Sequence, residues 1–276
     1  MRMGKAGGTL AGVERQVQAI LNEVSGSVGI AVKGLESDAT FLHNEHLVAS
    51  AASTIKIHII LELFNQVKAG KHSLDEFIEI PTNREGAEWH PPSSGVLRDL
   101  ESVQRLSLKD VATLMMMVSD NVATNLLIDL LGLRNIQTSI ERLSLRSTKL
   151  QRKMMDLESK ARGFENLTSP FDMMITMGKI ARYEILDRSS CDIVLDILSK
   201  CQDVFGVRRL IPENVRIEHK TGELFDVCND VGIVRVPSDP FIFSIMANGV
   251  NLVQGWDTIA ELGKLFYDCF VSKSSR

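Results

Sequence analysis

The sequence predicts a mixed α/β fold of the α+β type, in which one antiparallel sheet is flanked by the N- and C-terminal helices and an all-helical lobe is inserted. Three observations support it: β-rich segments occur only before residue 50 and in the final third, helical spacing dominates the middle, and amphipathic helices lie near both ends. We expect a single domain over residues 1–276, with a sheet lobe of about 1–49 and 206–276 and a helical lobe of about 50–205. A cleft between the lobes is the natural place for a site.

Composition excludes several classes of protein. The 276 residues suffice for a sizeable core, and 44% hydrophobic with 24% charged residues is unlike a disordered chain. The formal net charge of -4 and the lack of a basic stripe argue against nucleic-acid binding. No apolar run approaches the ~20 residues that a membrane helix needs. The expected partner is a small-molecule substrate, and the sequence leaves the oligomeric state open.

The N-terminus and the cysteines bear on compartment and on metal chemistry. Residues 1–8 carry positive charge, but no apolar segment follows them. We therefore expect no signal peptide and a cytoplasmic protein, or an exported one if the sequence begins after a removed signal. The four cysteines show no paired spacing and the six histidines are scattered, so we expect no metal site and no cofactor.

The first elements of the chain supply part of the sheet and the central helix. Apolar residues recur at helical spacing between residues 10 and 24. Alternation over residues 27–34 and 40–44 predicts two paired strands. A second helical pattern follows Ser50, where small polar residues offer capping groups, and it would end near Gly70.

The rest of the chain is mostly helical until its final third. Residues 71–106 are predicted to form a loop, in which Trp89 either roofs a pocket or anchors the loop on the core. An irregular, charged connection is predicted at residues 147–169. The predicted helices cover 107–118, 126–132, 136–143, 170–180, 187–200 and 256–270, and the predicted strands cover 215–222, 230–236 and 241–247.

A candidate nucleophile lies at the start of the helix that follows Ser50. Ser53 and Lys56 are three residues apart, so on a helix their side chains lie on one face and can meet. A serine hydroxyl attacks well only when a neighbouring base takes its proton, and a desolvated lysine can be that base. The first helical turn also offers unpaired N–H groups to a developing oxyanion. By itself, this spacing is more often that of a capped amphipathic helix with a solvated lysine.

Two further polar triplets strengthen the catalytic hypothesis. Ser119-Asp120-Asn121 separates two apolar helices, either as an ordinary helix junction or as a corner turned into a cleft. Lys220-Thr221-Gly222 lies on a predicted strand. Together with Ser53-x-x-Lys56, their order and contexts resemble those of the class A β-lactamases and penicillin-binding proteins, and the resemblance extends from about residue 10 to the C-terminus.

The resemblance implies a role for each motif residue. Ser53 would be the acylating nucleophile, and Lys56 its base or proton relay. Ser119 would carry the proton to the leaving nitrogen, while Asp120 braces the turn. The residues implied to contact the substrate are Asn121, Lys220, Thr221, Gly222 and Glu223, the last through a backbone N–H that forms the oxyanion hole with that of Ser53.

The irregular loop departs from the family that the motifs resemble. In class A β-lactamases, an arginine in this loop is followed two residues later by the glutamate that activates the deacylating water. Here Met154 follows Arg152 at that spacing, and methionine cannot take a proton. Asp156 and Glu158 are the alternative catalytic bases, although each is slightly more typical of a solvated loop carboxylate. Asn166 stands where the family's loop-bracing aspartate aligns.

The strand that follows Lys220-Thr221-Gly222 also departs from the pattern of the class A β-lactamases. Many class A enzymes have an arginine before a Gly-Ile pair to receive the substrate carboxylate, whereas Val231 occupies that position here. The candidate substitutes are Arg208, Arg209 and Arg235. Glu223 would place negative charge at the mouth of the cleft.

These observations leave three functional hypotheses. The favoured one is a serine hydrolase that forms an acyl-Ser53 intermediate and hydrolyses β-lactam amides. A second assigns the same machinery to a peptide, ester or small amide, as in penicillin-binding peptidases and esterases. A third is a sensor or binding domain that is acylated once and stays blocked.

Overall fold

The computed structural model describes residues 10, 12–81 and 94–272, so the predictions for Trp89 lie outside the described residues. Its centre is a five-stranded antiparallel sheet with the order β2-β1-β9-β8-β7. The strands are β1 (Ser27–Gly34), β2 (Thr40–His43), β7 (Ile217–Leu224), β8 (Val227–Val234) and β9 (Phe241–Asn248). The predicted sheet, built from both ends of the chain, is confirmed.

The register joins the first strand to the last. β1 pairs with β9 along its whole length, from Ser27 opposite Asn248 to Gly34 opposite Phe241. Every residue of β8 is buried, because helices cover both faces of the sheet at this point. β7 lies at the edge, so one side of its backbone has no partner strand and is available to the cleft.

One face of the sheet is covered by the terminal helices α1 (Val13–Asn22) and α9 (Leu252–Ser272), as predicted. Val17 and Phe266 are buried in this layer, and Phe270 stacks on Phe241 with ring centroids 4.4 Å apart. Burying one such side chain contributes about 1.5–3 kcal/mol, so both helices are integral to the fold. None of the described helices has the length and the apolar character needed to cross a membrane.

The opposite face carries the helical lobe, in which α7 lies on β1, β8 and β9. Its helices are α2 (Lys56–Lys68), α3 (Leu108–Met117), α4 (Asn121–Leu131), α5 (Leu133–Arg142), α6 (Leu157–Ala161), α7 (Pro170–Ala181) and α8 (Arg188–Leu198). α2 is buried on nearly all sides, more than the predicted apolar stripe requires. Its buried polar groups therefore need partners, and Gln66 Nε2 donates to Glu62 Oε1 at 2.8 Å.

The sequence patterns do not predict several short elements. β4 (Phe77–Glu79) pairs with β5 (Arg105–Ser107) within the segment predicted as loop, and β3 (Ala49–Ser50) pairs with β6 (Leu167–Thr168). Strands of two or three residues are too short to show alternation. Before α2, a separate 3-10 turn (Ala52–Ile55) forms without a side-chain cap, so the capping prediction is wrong there.

A buried ion pair ties the edge of the sheet to the segment after α8. His219 Nδ1 on β7 lies 2.9 Å from Asp230 Oδ1 on β8, and Asp230 Oδ2 accepts from the backbone N–H of Val207 at 2.8 Å. A Cβ on Gly206 would lie 2.2 Å from Asp230 Oδ2, so glycine is required there. Burial alone would lower the pKa of His219, but the charges of Asp230 and Cys201 raise it to about 10.

We expect the His219 ion pair to make stability fall at alkaline pH. Because the pKa is raised above its unfolded value near 6.5, the contribution is complete below that pH and is lost as pH rises through about 10. The free energy of unfolding, measured with urea, should decrease by at least about 1 kcal/mol between pH 7 and pH 10. His219→Gln should lose most of this slope.

The exposed His46 provides the matched control, since His46→Gln should keep the slope of the unaltered protein. An equal slope in His219→Gln would show that the ion pair does not link folding to pH.

Candidate active site

Ser53 lies in the 3-10 turn that precedes α2, against the edge strand β7. A Cβ placed on Gly222 would lie 3.0 Å from Ser53 N and 3.1 Å from Ala51 O, so the missing side chain lets β7 approach the turn closely. Asn229 Nδ2, opposite Gly222 on β8, donates to Ser50 O at 2.9 Å. Two neighbouring strands therefore hold the backbone of the Ser53 turn.

The edge position of β7 leaves alternate backbone groups free to face this turn. Arg235 N donates to Arg216 O at 2.9 Å, and hydrogen-bonded pairs in an antiparallel ladder recur at every second residue. This alternation directs the N–H of Glu223 away from β8, towards the free edge. The Glu223 N–H is therefore free at this edge, and the Ser53 N lies close to the neighbouring residue Gly222.

Lys56 is completely buried, and its amine joins α2 to the polar turn before α4. Lys56 Nζ donates to Ser119 O at 2.8 Å, to Ser119 Oγ at 2.9 Å and to Asn121 Oδ1 at 2.9 Å. Burial, followed by the charge of Lys220, holds the pKa of Lys56 well below its ordinary value, against the opposing charges of Asp120 and Asp203. The geometry places a buried amine with a lowered pKa one helical turn from Ser53.

Asp120 organises the turn that presents Ser119 and Asn121. Its Oδ2 accepts from the N–H groups of Val96 at 2.6 Å and Leu97 at 2.8 Å, while Oδ1 accepts from Ala123 N at 2.9 Å as the N-cap of α4. Ser119 has a φ of 56°, which a non-glycine residue adopts only when its surroundings impose it. Asp120 therefore acts structurally, with its charge satisfied by backbone donors.

The motif on β7 supplies the third side of the cleft. Lys220 is fully buried, and its Nζ donates to Thr221 O at 2.8 Å. Thr221 Oγ1 donates to Asp203 Oδ2, on the segment after α8. Sequence reasoning missed Asp203, because neither spacing nor periodicity distinguishes it from the other carboxylates of an irregular segment.

Cys201 and His219 form a second polar group beside Lys220. Burial would raise the pKa of Cys201, but the charge of His219 and a hydrogen bond with it lower that pKa below the ordinary value. The four cysteines are all free thiols. Among the described residues, no three His, Cys, Asp or Glu side chains form a group that could hold a metal ion.

The side chain of Glu223 was expected to place its negative charge at the mouth of the cleft, but it contacts α9 instead. Its Oε2 accepts from Trp256 Nε1 on α9 at 2.6 Å, so the side chain is bound on the face of the sheet that α9 covers. The backbone of Glu223, and not its charge, is the part that faces the Ser53 turn. The prediction that the Glu223 carboxylate lies at the mouth of the cleft is therefore wrong.

The two predicted deacylation bases have contacts within their own loop. Asp156 caps α6 by accepting from Ser159 N at 2.8 Å, and its bonds with Ser159 lower its pKa. The Glu158 side chain is 84% exposed, with its carboxylate 3.6 Å from Arg162. Among the hydrogen bonds and ion pairs of the described residues, neither carboxylate contacts Ser53.

The backbone of Met154 is fixed by α4. Asn125, one turn after Asn121, accepts from Met154 N at 2.8 Å and donates to Met154 O at 3.1 Å. Both backbone groups of Met154 are therefore held by one side chain, while the Met154 side chain packs partly buried against the core of the helical lobe.

The loop that contains Arg152 was predicted to lose its bracing ion pair, because Asn166 replaces an aspartate. An ion pair is present nevertheless, with the carboxylate on the preceding residue, Glu165. Arg152 Nη2 lies 2.7 Å from Glu165 Oε1. Asn166 accepts from the N–H groups of Gln151 at 2.8 Å and Arg152 at 3.1 Å. The asparagine thus binds the loop backbone, while its neighbour provides the charge.

The three candidate arginines have other partners. Arg208 donates to backbone carbonyls, including Val215 O at 2.8 Å. Arg209 pairs with Asp257 at 2.6 Å, and Arg235 with Glu218 at 2.7 Å. The structure thus does not support the prediction that one of them receives a substrate carboxylate.

Comparisons with known proteins agree with this geometry. A family model described as the β-lactamase enzyme family matches residues 12–270. A β-lactamase structure from Sphaerobacter thermophilus is similar with a TM-score of 0.85 and 30% identity, covering 95% of this chain and 97% of that chain. The structure of PBP-A is similar with a TM-score of 0.85 and 27% identity, covering 96% and 97%.

A β-lactamase is also found among curated protein sequences, at lower identity. A β-lactamase from Bacteroides uniformis is 22% identical over 270 residues, which covers 93% of this chain and 90% of that protein. Because the family model matches nearly the whole chain, the protein belongs to the β-lactamase enzyme family as a divergent member, and it is a class A β-lactamase-like serine hydrolase that acts through an acyl-serine intermediate.

Proposed function

We propose that β-lactams acylate Ser53 and that the acyl group is then released slowly. The observation that supports acylation of Ser53 is the buried amine of Lys56, which lies one helical turn from Ser53 and 2.9 Å from Ser119 Oγ. Its lowered pKa makes the neutral, proton-accepting form far more accessible than in a solvated lysine.

In the proposed reaction, neutral Lys56 takes the proton of Ser53 Oγ as this oxygen bonds to the carbonyl carbon of the lactam. The carbonyl oxygen becomes an oxyanion, which the N–H groups of Ser53 and Glu223 stabilise. Lys56 then passes a proton through Ser119 Oγ to the lactam nitrogen, and the C–N bond breaks. The ring opens, and the acyl group stays on Ser53.

Slow release is supported by Met154. Hydrolysis of the acyl-Ser53 ester needs a base that activates a water, and a methionine side chain accepts no proton. Asp156 and Glu158 are engaged by Ser159 and Arg162 within the loop. We infer that water attacks without efficient base catalysis. The same observation favours a second candidate function, slow acyl transfer from an ester or a peptide.

A relative supports penicillin as the first probe. A solved structure of a Leu-to-Glu variant of PBP-A is an acyl-enzyme complex with penicillin G, and it is similar to this chain with a TM-score of 0.85 and 27% identity. Because the two chains share the fold over 96% of this one, we expect the same compound to enter this cleft.

We expect penicillin G to give one acyl group per protein molecule within minutes, followed by slow turnover. Intact mass measured over time should show a single adduct, and peptide mapping should locate it on the peptide that contains Ser53. Ser53→Ala should form no adduct and keep its melting temperature within a few degrees. An adduct of equal yield in Ser53→Ala would contradict the assignment of the nucleophile.

The acylation rate should rise with pH through the lowered pKa of Lys56. The neutral amine is the reactive form, so the rate increases as pH rises through this pKa and is level above it. We expect a midpoint well below 10.5. Lys56→Gln should lower the rate by about 100-fold or more and abolish this pH dependence.

Lys68, exposed at the end of the same helix, provides the control variant Lys68→Gln, which should keep both the rate and its pH dependence. Stopped-flow acylation by a chromogenic cephalosporin measures both. An unchanged alkaline rise in Lys56→Gln would remove Lys56 as the base.

Met154→Glu should accelerate release of the acyl group by about 100-fold, since a carboxylate at this position adds a general base. Met154→Gln has the same length without a base and should not accelerate it. Glu158→Gln should release the acyl group at the original rate. These rates come from the decay of the isolated adduct, followed by mass. Slower release in Glu158→Gln would assign the water-activating role to Glu158 instead.

A further inference from the structure

A series of polar groups outside the acylation machinery joins Cys201 to the core of the sheet. His219 Nδ1 lies 2.9 Å from Asp230 Oδ1, and Asp230 Oδ2 accepts from Val207 N at 2.8 Å. The His219 ring also forms a hydrogen bond with the side chain of Cys201. Only 2% of His219 and none of Asp230 is exposed, so the imidazole is held between the carboxylate and the sulfur. A base that is itself oriented by a third group is the arrangement that activates a nucleophilic side chain.

The surroundings of the Cys201 sulfur favour its thiolate. Burial alone would raise the pKa of Cys201, but the charge of His219, a hydrogen bond with that ring and the charge of Lys220 lower this pKa below the ordinary value. The backbone N–H of Asp203 also donates to the sulfur. His219 is positively charged at neutral pH, because its own pKa is raised to about 10. The sulfur is therefore a nucleophile, since the thiolate is the form that attacks oxidants and electrophiles.

Exposure separates Cys201 from two of the other three thiols. Cys191 and Cys228 are fully buried, and burial raises the pKa of both, to about 12 for Cys228. Cys201 is partly exposed, so a small solute can reach its sulfur. Cys269 on α9 is exposed to a similar degree and supplies a comparison within the same chain.

Cys201 is connected to the cleft through Asp203. The backbone N–H of Asp203 donates to the Cys201 sulfur, while Asp203 Oδ2 accepts from Thr221 Oγ1 on β7. An oxygen atom added to the sulfur would need space between the His219 ring and the Asp203 backbone. It would also remove the negative charge that these donors bind. Modification of Cys201 would therefore displace the carboxylate that holds Thr221.

We propose that Cys201 is a redox-modification site, at which a small hydroperoxide such as hydrogen peroxide oxidises the sulfur to a sulfenic acid and thereby slows acylation of Ser53. The thiolate sulfur attacks one peroxide oxygen, so an S–O bond forms and the O–O bond breaks. The sulfur gives up two electrons, and the departing hydroxide takes a proton from solvent and becomes water. A thiol reductant reverses the change. The effect on the cleft rests on the proposed acylation of Ser53, whereas the oxidation itself does not.

Dimedone, which traps sulfenic acids, tests the chemistry. The protein is treated with hydrogen peroxide and dimedone at neutral pH, and the labelled peptide is identified by mass. We expect the label on the peptide that contains Cys201, at a rate at least about tenfold above that of the same thiol in urea-unfolded protein. His219→Gln should lower the rate by about tenfold, since the cation beside the sulfur is lost. His46→Gln, which alters an exposed histidine, should keep the original rate. The comparison with unfolded protein remains decisive if His219→Gln fails to fold.

Acylation by penicillin G tests the effect on the cleft. For each variant, the rate is measured with and without prior peroxide treatment. We expect peroxide to slow acylation of the unaltered protein by about tenfold or more, because groups beside the substrate are displaced, and dithiothreitol to restore the rate. Cys201→Ser keeps a hydrogen-bond acceptor for the Asp203 N–H and should lose the response to peroxide. Cys269→Ser should retain it.

Three contrary results have different meanings. If Cys201 is labelled no faster in the folded than in the unfolded protein, its surroundings do not activate the thiol, and the proposal is overturned. If Cys201 is labelled but the acylation rate does not change, the sulfenic acid has no effect on the cleft, and its regulatory role is overturned. If the reduced protein is not acylated by penicillin G, the proposed function fails, while the dimedone label still decides whether Cys201 is oxidised.

Discussion

The buried amine of Lys56 is the interaction on which the rest of the site depends. Removing an ammonium from water costs several kcal/mol, which favourable hydrogen bonds only partly offset. Here the three acceptors come from Ser119 and Asn121, over sixty residues away in the chain. They are in place because Asp120 holds the turn through three backbone N–H groups. The lowered pKa of Lys56 itself comes from burial and from the charge of Lys220.

Much of the fold and the identity of the cleft could be predicted from the sequence, because both depend on signals that are local. The helical spacing in α2 and the order of the three motifs are visible in the residues themselves. Asp203 could not be predicted, since it reaches Thr221 only through the path of an irregular segment. The orientation of Glu223 was equally hidden, because its partner Trp256 comes from the last helix.

The residues proposed for acylation and those of the loop proposed for deacylation are held in the fold in different ways. The groups proposed to act in acylation lie on α2, on the turns beside α2 and α4, and on β7, all of which adjoin the core, so their geometry is determined by packing. The loop after α5 depends more on polar contacts, among them Asn125 with Met154, Arg152 with Glu165, and Asn166 with the loop backbone. Within this loop, Asp156 and Glu158 follow local preferences: one caps a short helix and the other faces an arginine in solvent. Sequence proximity to the expected base position does not decide where a side chain points.

The central position of β9 in the sheet has a consequence for folding during synthesis on the ribosome. β9 is the central strand, yet it is made after the other strands of the sheet, so β1 and β8 each lack this neighbour until then. β1 can pair early with β2, which follows it directly, but its other edge stays open to aggregation until β9 is made. Such distant pairing also implies slow folding once the chain is released. The helical segments can begin to collapse earlier, but the cleft is complete only after β7 has emerged and paired with β8.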